Sequence, residues 1–215
     1  INTVATHYDD EAQVDAIKSW WKENWLALAG GLGLGLGAIF GWQAYQQAGD
    51  SRAERASQMY SDLRNAQADA RSEAVAEIRQ TLVNDLAKTP YASLAQLHWA
   101  AQLVKEERPD DARTALDWVV QNSGDDGLKA LARLRLARVD LQAGNVDAAL
   151  AALSPVPNGF EGLYLELRGD ALLQKGDRGN ARSAYDEALA AVALNAPYRG
   201  ELQRKRDDLN EASSS

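Results

Sequence analysis

Residues 167–189 read LRGDALLQKGDRGNARSAYDEAL. Apolar and small residues recur at three- and four-residue spacing on both sides of a polar turn, which is typical of two consecutive helices. Gly169 in the first helix and Ala181 in the second are small enough to let the two helices cross closely. Tyr185, one turn after Ala181, fills the adjoining gap. The stretch therefore predicts a packed helix pair.

Two upstream segments repeat this pattern, and the three copies are spaced by 37 and 32 residues. The aligned positions are small in both helices and large one turn later: Ala100, Ala137 and Gly169; Ala112, Ala149 and Ala181; Leu116, Leu153 and Tyr185. Pro109 stands at the permissive first position of a second helix, whereas Pro155 and Pro157 break the second copy. Because this period is close to that of tetratricopeptide repeats, residues 90–196 predict three such helix pairs. A helical bundle without repeats is the alternative.

Helical segments also flank the repeats. Residues 46–89 predict a helix pair that Pro90 ends. Its second helix has four apolar residues on one face: Val75, Ile78, Leu82 and Leu86. Residues 197–210 predict a helix that caps the solenoid. The apolar residues expected to face inward are Tyr198, Leu202 and Leu209. The basic residues expected on the solvated face are Arg204, Lys205 and Arg206. Residues 211–215 are expected to be disordered.

The N-terminal part contains a long uncharged segment. No charged residue occurs from Asn24 to Gly49, and residues 25–45 would form a helix of roughly 31 Å, about one hydrocarbon core. Aromatic residues that favour the headgroup level lie at both ends: Trp20, Trp21, Trp25, Trp42 and Tyr45. The pattern predicts a single uncleaved transmembrane helix after a short segment, residues 1–24. A buried core helix is the alternative.

The glycines of this segment admit a second interpretation. Gly33, Gly35 and Ala38 fit the loose form G-x-G-x-x-G/A of a nucleotide-binding loop. Such a loop requires a preceding strand and a βαβ unit, whereas the residues on both sides here are helical in period. The glycines are therefore interpreted as part of the membrane helix.

Glycines four residues apart form ridges along that helix. Gly31 and Gly35 are one such pair, and Gly37 and Gly41 are another. Small residues at this spacing let another helix backbone approach closely in lipid. The ridge predicts a contact with a second transmembrane helix, and simple tolerance of glycine in lipid is the alternative.

Composition argues against several classes of function. The 215 residues include 23 basic and 31 acidic ones, a net charge of −8, and no basic stripe that would bind nucleic acid. Cysteine is absent, so no disulfide, thiol nucleophile or thiolate metal site is expected. His7 and His98 are the only histidines, and His98 is interpreted as a packing or surface residue. We therefore expect a non-enzymatic protein without cofactor or metal.

The charges around the apolar segment leave its orientation open. Lys18 and Lys22 precede it, and Arg52, Arg55 and Arg64 follow it. Because short cytoplasmic flanks carry an excess of Lys and Arg, this count leans slightly against a cytoplasmic N-terminus.

Several stretches along the chain match one known family. They are EAQVDAIKSWWKENW before the Gly-rich segment, YASLAQL and LRLARV in the first two repeats, and LRGDALLQKGDRGNARSAYDEAL in the third. Together they resemble the YfgM family, ancillary subunits of the bacterial SecYEG translocon, from about residue 10 to residue 209. The resemblance implies an inner-membrane protein with a cytoplasmic N-terminus and a periplasmic repeat domain. It also implies association with the translocon and with a membrane-anchored periplasmic chaperone of the PpiD type, serving secreted clients. A membrane-tethered scaffold of another envelope complex is the alternative.

Binding is then expected on the concave face of the array. In tetratricopeptide arrays this face is lined by the second, fifth, ninth and twelfth positions of each first helix. In this chain they are Leu94, Leu97, Ala101 and Val104; Leu131, Leu134, Arg138 and Leu141; Leu163, Glu166, Asp170 and Leu173. Apolar residues dominate, and the Lys/Asn clamp for a C-terminal carboxylate is absent. Two expectations stay open: either the chain's own first helix pair fills the groove, or the groove accepts an apolar segment of a client or partner. The second expectation depends mainly on Leu97, Leu131, Leu134 and Leu141.

Overall fold

The computed structural model describes residues 5–211, which are helical apart from their turns and contain no strand. The helices in chain order are α1 Ala5–Ala68, α2 Ser72–Asp85, α3 Pro90–Lys105, α4 Pro109–Asn122, α5 Asp126–Gln142, α6 Val146–Ala152, α7 Glu161–Gln174, α8 Arg178–Ala191 and α9 Arg199–Glu211. Two compact units are present, Ile1–Ser51 and Arg52–Ser215. The all-helical prediction is confirmed for the described residues. Most of the predicted disordered tail, 212–215, lies outside them.

The first unit carries the Gly-rich segment on α1. Among the described residues, no single helix has both the length and the apolarity to cross a membrane. Two arms, Lys18–Ala27 and Ala29–Ala68, meet these criteria only together, across a bend of 41°. Large apolar side chains of this unit are exposed, and Leu34 reaches 79%. The transmembrane helix over 25–45 therefore remains a prediction.

In the second unit, the first helices of the repeats are α3, α5 and α7, and each ends in the same kind of turn. The second residue after each helix has a left-handed backbone, with φ of 58° at Glu107, 80° at Gly144 and 87° at Gly176. The following backbone N–H donates to a carbonyl five residues back, at 2.8 to 2.9 Å. This is the Schellman cap, which satisfies carbonyls that the helix end leaves free. The turn thus supports the alignment of the three repeats.

Local sequence also explains where helices begin. Pro109 is the first residue of α4, as predicted, because a first helical position needs no N–H donor. Pro90 likewise begins α3. Before α5 and α8, the carboxylates of Asp125 and Asp177 accept backbone N–H groups at 2.9 and 3.1 Å. Such caps satisfy donors that have no partner within the helix.

The aligned small and large residues form the interior of the array. All nine predicted crossing positions are buried: Ala100, Ala137 and Gly169; Ala112, Ala149 and Ala181; Leu116, Leu153 and Tyr185. The buried clusters join consecutive helices: α3 to α5, then α5 to α7, then α7 to α9. Neighbour-to-neighbour packing of this kind is that of a solenoid. The tetratricopeptide-like prediction is confirmed.

The end of α1 and α2 pack against α3. Of the four apolar residues predicted to share one face, Val75, Leu82 and Leu86 are buried and Ile78 is half-buried. Leu63 and Leu82 share a cluster with Ala92 and Ala95 of α3.

Helix α9 covers the other end of the array, with two differences from expectation. Leu202 and Leu209 are buried, but Tyr198 is 40% exposed because it precedes the helix and lies at the edge. Lys205 is not on a solvated face. Its ammonium bonds Glu166 and Asp170 of α7 at 2.8 and 2.9 Å, because α9 packs with this side toward α7.

Candidate functional site

The predicted concave positions divide between the interior and the surface. Leu97 and Leu134 are each only 2% exposed, and Leu94, Leu131 and Leu163 are half-buried. Leu97 packs with residues of α4 and α5, and Leu134 packs with residues of α6 and α7. The expectation of an exposed leucine surface at Leu97 and Leu134 is wrong, because neighbouring helices of the array cover these positions.

The alternative expectation also fails for these leucines. The first helix pair packs on α3 through Ala92 and Ala95. Leu97 and Leu134 belong to other clusters, in which the helices of the repeats themselves provide the packing.

An open groove lies instead along the later part of the first helices. Three cavities of about 540, 300 and 340 Å³ follow one another along the array. The first lies between α3 and the end of α1 with the start of α2, the second between α3 and α5, and the third between α5 and α7. Ala101 and Lys105 line both the first and the second cavity, and Arg138 and Gln142 line both the second and the third. We call this row of cavities the A-helix groove.

The ninth and twelfth helix positions of the first two repeats line this groove. They are Ala101, Val104, Arg138 and Leu141. In the third repeat, the carboxylates of Glu166 and Asp170 form ion pairs with Lys205 of α9. The predicted apolar face is thus reduced to a shorter groove with a mixed apolar and cationic lining.

Aromatic and basic side chains lie near the α2–α3 end of the groove, which Trp99 lines. The guanidinium of Arg79 lies 5.0 Å from the ring centroid of Trp99 and donates to the Gln96 side chain at 3.1 Å. His98 lines the groove beside Trp99, and its ring centroid is 6.1 Å from that of Tyr60. His98 therefore both packs and faces solvent.

The charge around His98 is positive. Partial burial lowers the pKa of His98, and the charges of Arg135 and Arg64 lower it further. Burial and both neighbouring guanidinium groups therefore disfavour a positive charge on the imidazole.

Three cations surround the middle cavity, and sequence reasoning identified only one of them. They are Lys105, Arg135 and Arg138. The spacing of three between Arg135 and Arg138 in LRLARV places both on one side of α5, and this signal was available in the sequence. Lys105 joins them only through the packing of α3 against α5.

The predicted glycine ridge lies in the first unit. A Cβ atom added at Gly31, Gly35, Gly37 or Gly41 would meet no atom within 4 Å. In the part of the chain that the structure describes, no neighbouring atom therefore explains why these positions are glycine, and the helix contact remains a prediction.

The fold defines a protein with tetratricopeptide-like repeats, and residues 18–211 match the family model described as a tetratricopeptide repeat-like domain. The chain is 35% identical to the ancillary SecYEG translocon subunit of Escherichia coli (strain K12), over 85% of this chain and 88% of that protein. It is 32% identical to the ancillary SecYEG translocon subunit of Neisseria gonorrhoeae, over 96% of this chain and 100% of that protein. The chain belongs to this family of ancillary translocon subunits, the YfgM family. No solved structure matches the chain significantly.

Proposed function

We propose that this chain is a non-enzymatic, membrane-anchored subunit that accompanies the SecYEG translocon and binds partner proteins through its repeat domain. The observation that carries the proposal is similarity to ancillary translocon subunits over nearly the whole chain, up to 96% of it. That similarity includes the Gly-rich segment as well as the repeats, so it concerns more than a generic repeat core.

Residues 25–45 are the proposed anchor. They contain no charged residue, and large apolar side chains such as Leu34, Phe40 and Trp42 are exposed. Soluble proteins rarely expose so much contiguous apolar surface, and lipid would cover it. In the proposed topology the N-terminus is cytoplasmic and the repeat domain is periplasmic.

The proposed partners of the repeat domain are a PpiD-type periplasmic chaperone and secreted polypeptides that emerge from the channel. The A-helix groove supports binding rather than catalysis, because its lining combines apolar surface with fixed cations. In the part of the chain that the structure describes, no three carboxylate or histidine groups are arranged as metal ligands.

Purification of the full chain in mild detergent from its own bacterium, with partners identified by mass spectrometry, tests the proposal. Recovery of the SecYEG subunits and of a membrane-anchored periplasmic chaperone is the expected result. Recovery of another envelope complex without SecYEG would instead establish the scaffold alternative.

Topology can be tested separately because the chain has no cysteine. Single cysteines at Lys22→Cys and Gln121→Cys would be exposed to a membrane-impermeant thiol reagent from opposite sides. In intact spheroplasts, labelling of Gln121→Cys alone is expected. Labelling of Lys22→Cys alone would reverse the proposed orientation.

A further inference from the structure

The middle cavity of the A-helix groove is a socket with an apolar floor. Ala100, Val104, Leu116 and Val139 line this space of about 300 Å³ between α3 and α5. Val104 is 39% exposed, although most large apolar residues of the repeats are buried. The volume is at the small end for ligand sites, which suits one side chain of a peptide better than a complete small molecule.

Three cations surround this floor. Among the described residues, no ion pair forms with Lys105, Arg135 or Arg138, although other basic residues of the repeats are paired. The Arg135 guanidinium donates to the neutral carbonyl of Leu97, at 3.0 Å. The socket therefore has positive charge that no carboxylate among the described residues pairs with.

The two arginines also oppose each other electrostatically. Burial lowers the pKa of Arg135, and the charge of Arg138 lowers it further. An anion placed between these side chains would relieve the repulsion and gain charge-assisted hydrogen bonds. Such local positive charge in a chain of net charge −8 favours an acidic ligand at this place.

We propose that the socket binds an acidic amphipathic segment of a partner polypeptide, with an apolar side chain on the Val104 floor and flanking carboxylates on Arg138, Arg135 and Lys105. The groove continues on both sides of the socket, toward α2 and toward α7, which suits an extended chain. This assignment depends on the proposed function only in taking the repeat domain as a partner-binding module.

The test uses the full chain in detergent and three fluorescein-labelled peptides of equal length. One alternates Leu with Asp and Glu, the second has Lys at the acidic positions, and the third has Ser at the Leu positions. The acidic Leu peptide is expected to bind at least tenfold more tightly than the other two, and its affinity is expected to fall with added salt. Equal binding of the acidic and the Lys peptide would overturn the proposal.

Arg138→Glu is the decisive variant, because Arg138 is exposed. It is expected to weaken binding of the acidic peptide at least tenfold with an unchanged thermal midpoint. Arg168→Glu makes the same charge change on the exposed surface of α7, outside the groove, and is expected to change affinity less than twofold. Equal effects of the two variants would mean that net charge alone governs binding, which overturns the proposal.

Two further outcomes separate this inference from the proposed function. If SecYEG co-purifies with the chain but the acidic peptide does not bind, the socket assignment fails and the translocon association stands. If the peptide binds through Arg138 but SecYEG does not co-purify, the socket assignment stands and the translocon association fails. Binding of phosphatidylglycerol vesicles through Arg138 without peptide binding would identify a lipid headgroup site and overturn the peptide assignment.

Discussion

The ring of Tyr185 occupies the place where a Cβ atom on Gly169 would stand. An ideal Cβ on Gly169 would lie 2.3 Å from Cε1 and 2.5 Å from Cδ1 of the ring. The Tyr185 hydroxyl donates to Asp170 at 2.8 Å, which fixes the ring against α7. The crossing of α7 and α8 therefore requires glycine at position 169.

Gly169→Ala is expected to destabilise the repeat domain by about 1–3 kcal/mol, because a buried aromatic ring and helix backbone must move to accept the methyl group. The measurement is chemical denaturation of the fragment 52–215. We expect this fragment to be soluble and monomeric, because it is a compact unit whose terminal helix is polar on its outer side.

Gly200→Ala provides the matched control. Gly200 is an exposed residue of α9, and an added Cβ would meet nothing within 4 Å. Only the higher helix propensity of alanine then matters, so the free energy of unfolding is expected to increase by up to about 1 kcal/mol. If both variants are equally stable, the close crossing at Gly169 is not a constraint.

Glu107 is expected to be less favourable than glycine at its position. Its φ of 58° lies in the region that glycine adopts freely, and the equivalent turns have Gly144 and Gly176. Glu107→Gly should therefore leave the stability of the domain unchanged or raise it by up to about 1 kcal/mol. The substitution relieves backbone strain, but glycine has more conformational freedom in the unfolded chain, which partly offsets this gain. Gly176→Ala should lower it by about 1 kcal/mol or more. A loss of stability in Glu107→Gly would show that the Glu107 side chain contributes more than its backbone costs.

The repeat architecture could be predicted because it depends on residues close in sequence. Ala112, Ala149 and Ala181 mark helix crossings within single repeats, where a small residue has a direct steric reason. The period then identified the array. Even the left-handed residue five positions before each of these alanines follows the same period.

The groove could not be predicted at the same level, because it depends on packing between repeats. The helical positions of Leu97 and Leu134 are those of a concave face, but neighbouring helices bury both. Lys205 bonds carboxylates 35 and 39 residues away, and nothing in the local sequence of α9 indicates those partners. The cations of the socket likewise come from α3 and α5, which meet only in the folded chain.

Asp140 is expected to make stability depend on pH. Its side chain is 1% exposed, and burial raises its pKa above 3.8, although the charge of Arg113 opposes this. Above the unfolded-state pKa, the folded domain holds the proton more tightly than the unfolded chain does. Stability from this group is therefore present at low pH and decreases as pH rises through the folded-state pKa.

The Asp140→Asn variant isolates this contribution, because its amide stays neutral and can still accept a hydrogen bond from Arg113. The free energy of unfolding of the wild type minus that of the variant is expected to fall as pH rises above about 4. A difference that rises with pH would mean that pairing with Arg113 outweighs burial and lowers the pKa of Asp140.

Lys205→Met is expected to weaken the packing of α9 against α7. Methionine keeps the apolar stem but leaves Glu166 and Asp170 as adjacent partly buried carboxylates without a cation. Loss of hydrogen bonds to charged groups at such a site costs about 1–3 kcal/mol, and hydrogen exchange should increase first in α9. Arg204→Met is the control at an exposed neighbour, for which a change within about 0.5 kcal/mol is expected.

Replacement of Gly31, Gly35 and Gly37 by leucine tests the helix contact in the membrane. Leucine preserves apolarity and length, and among the described residues an added Cβ at these positions meets nothing within 4 Å. Membrane insertion is therefore expected to persist, while close approach of a partner helix is lost and co-purification with the partner weakens. Leucine-to-isoleucine changes at Leu32, Leu34 and Leu36 alter the same segment without enlarging a small residue, and should leave co-purification intact. Undiminished partner recovery with the glycine variant would show that these glycines are tolerated in lipid and make no contact.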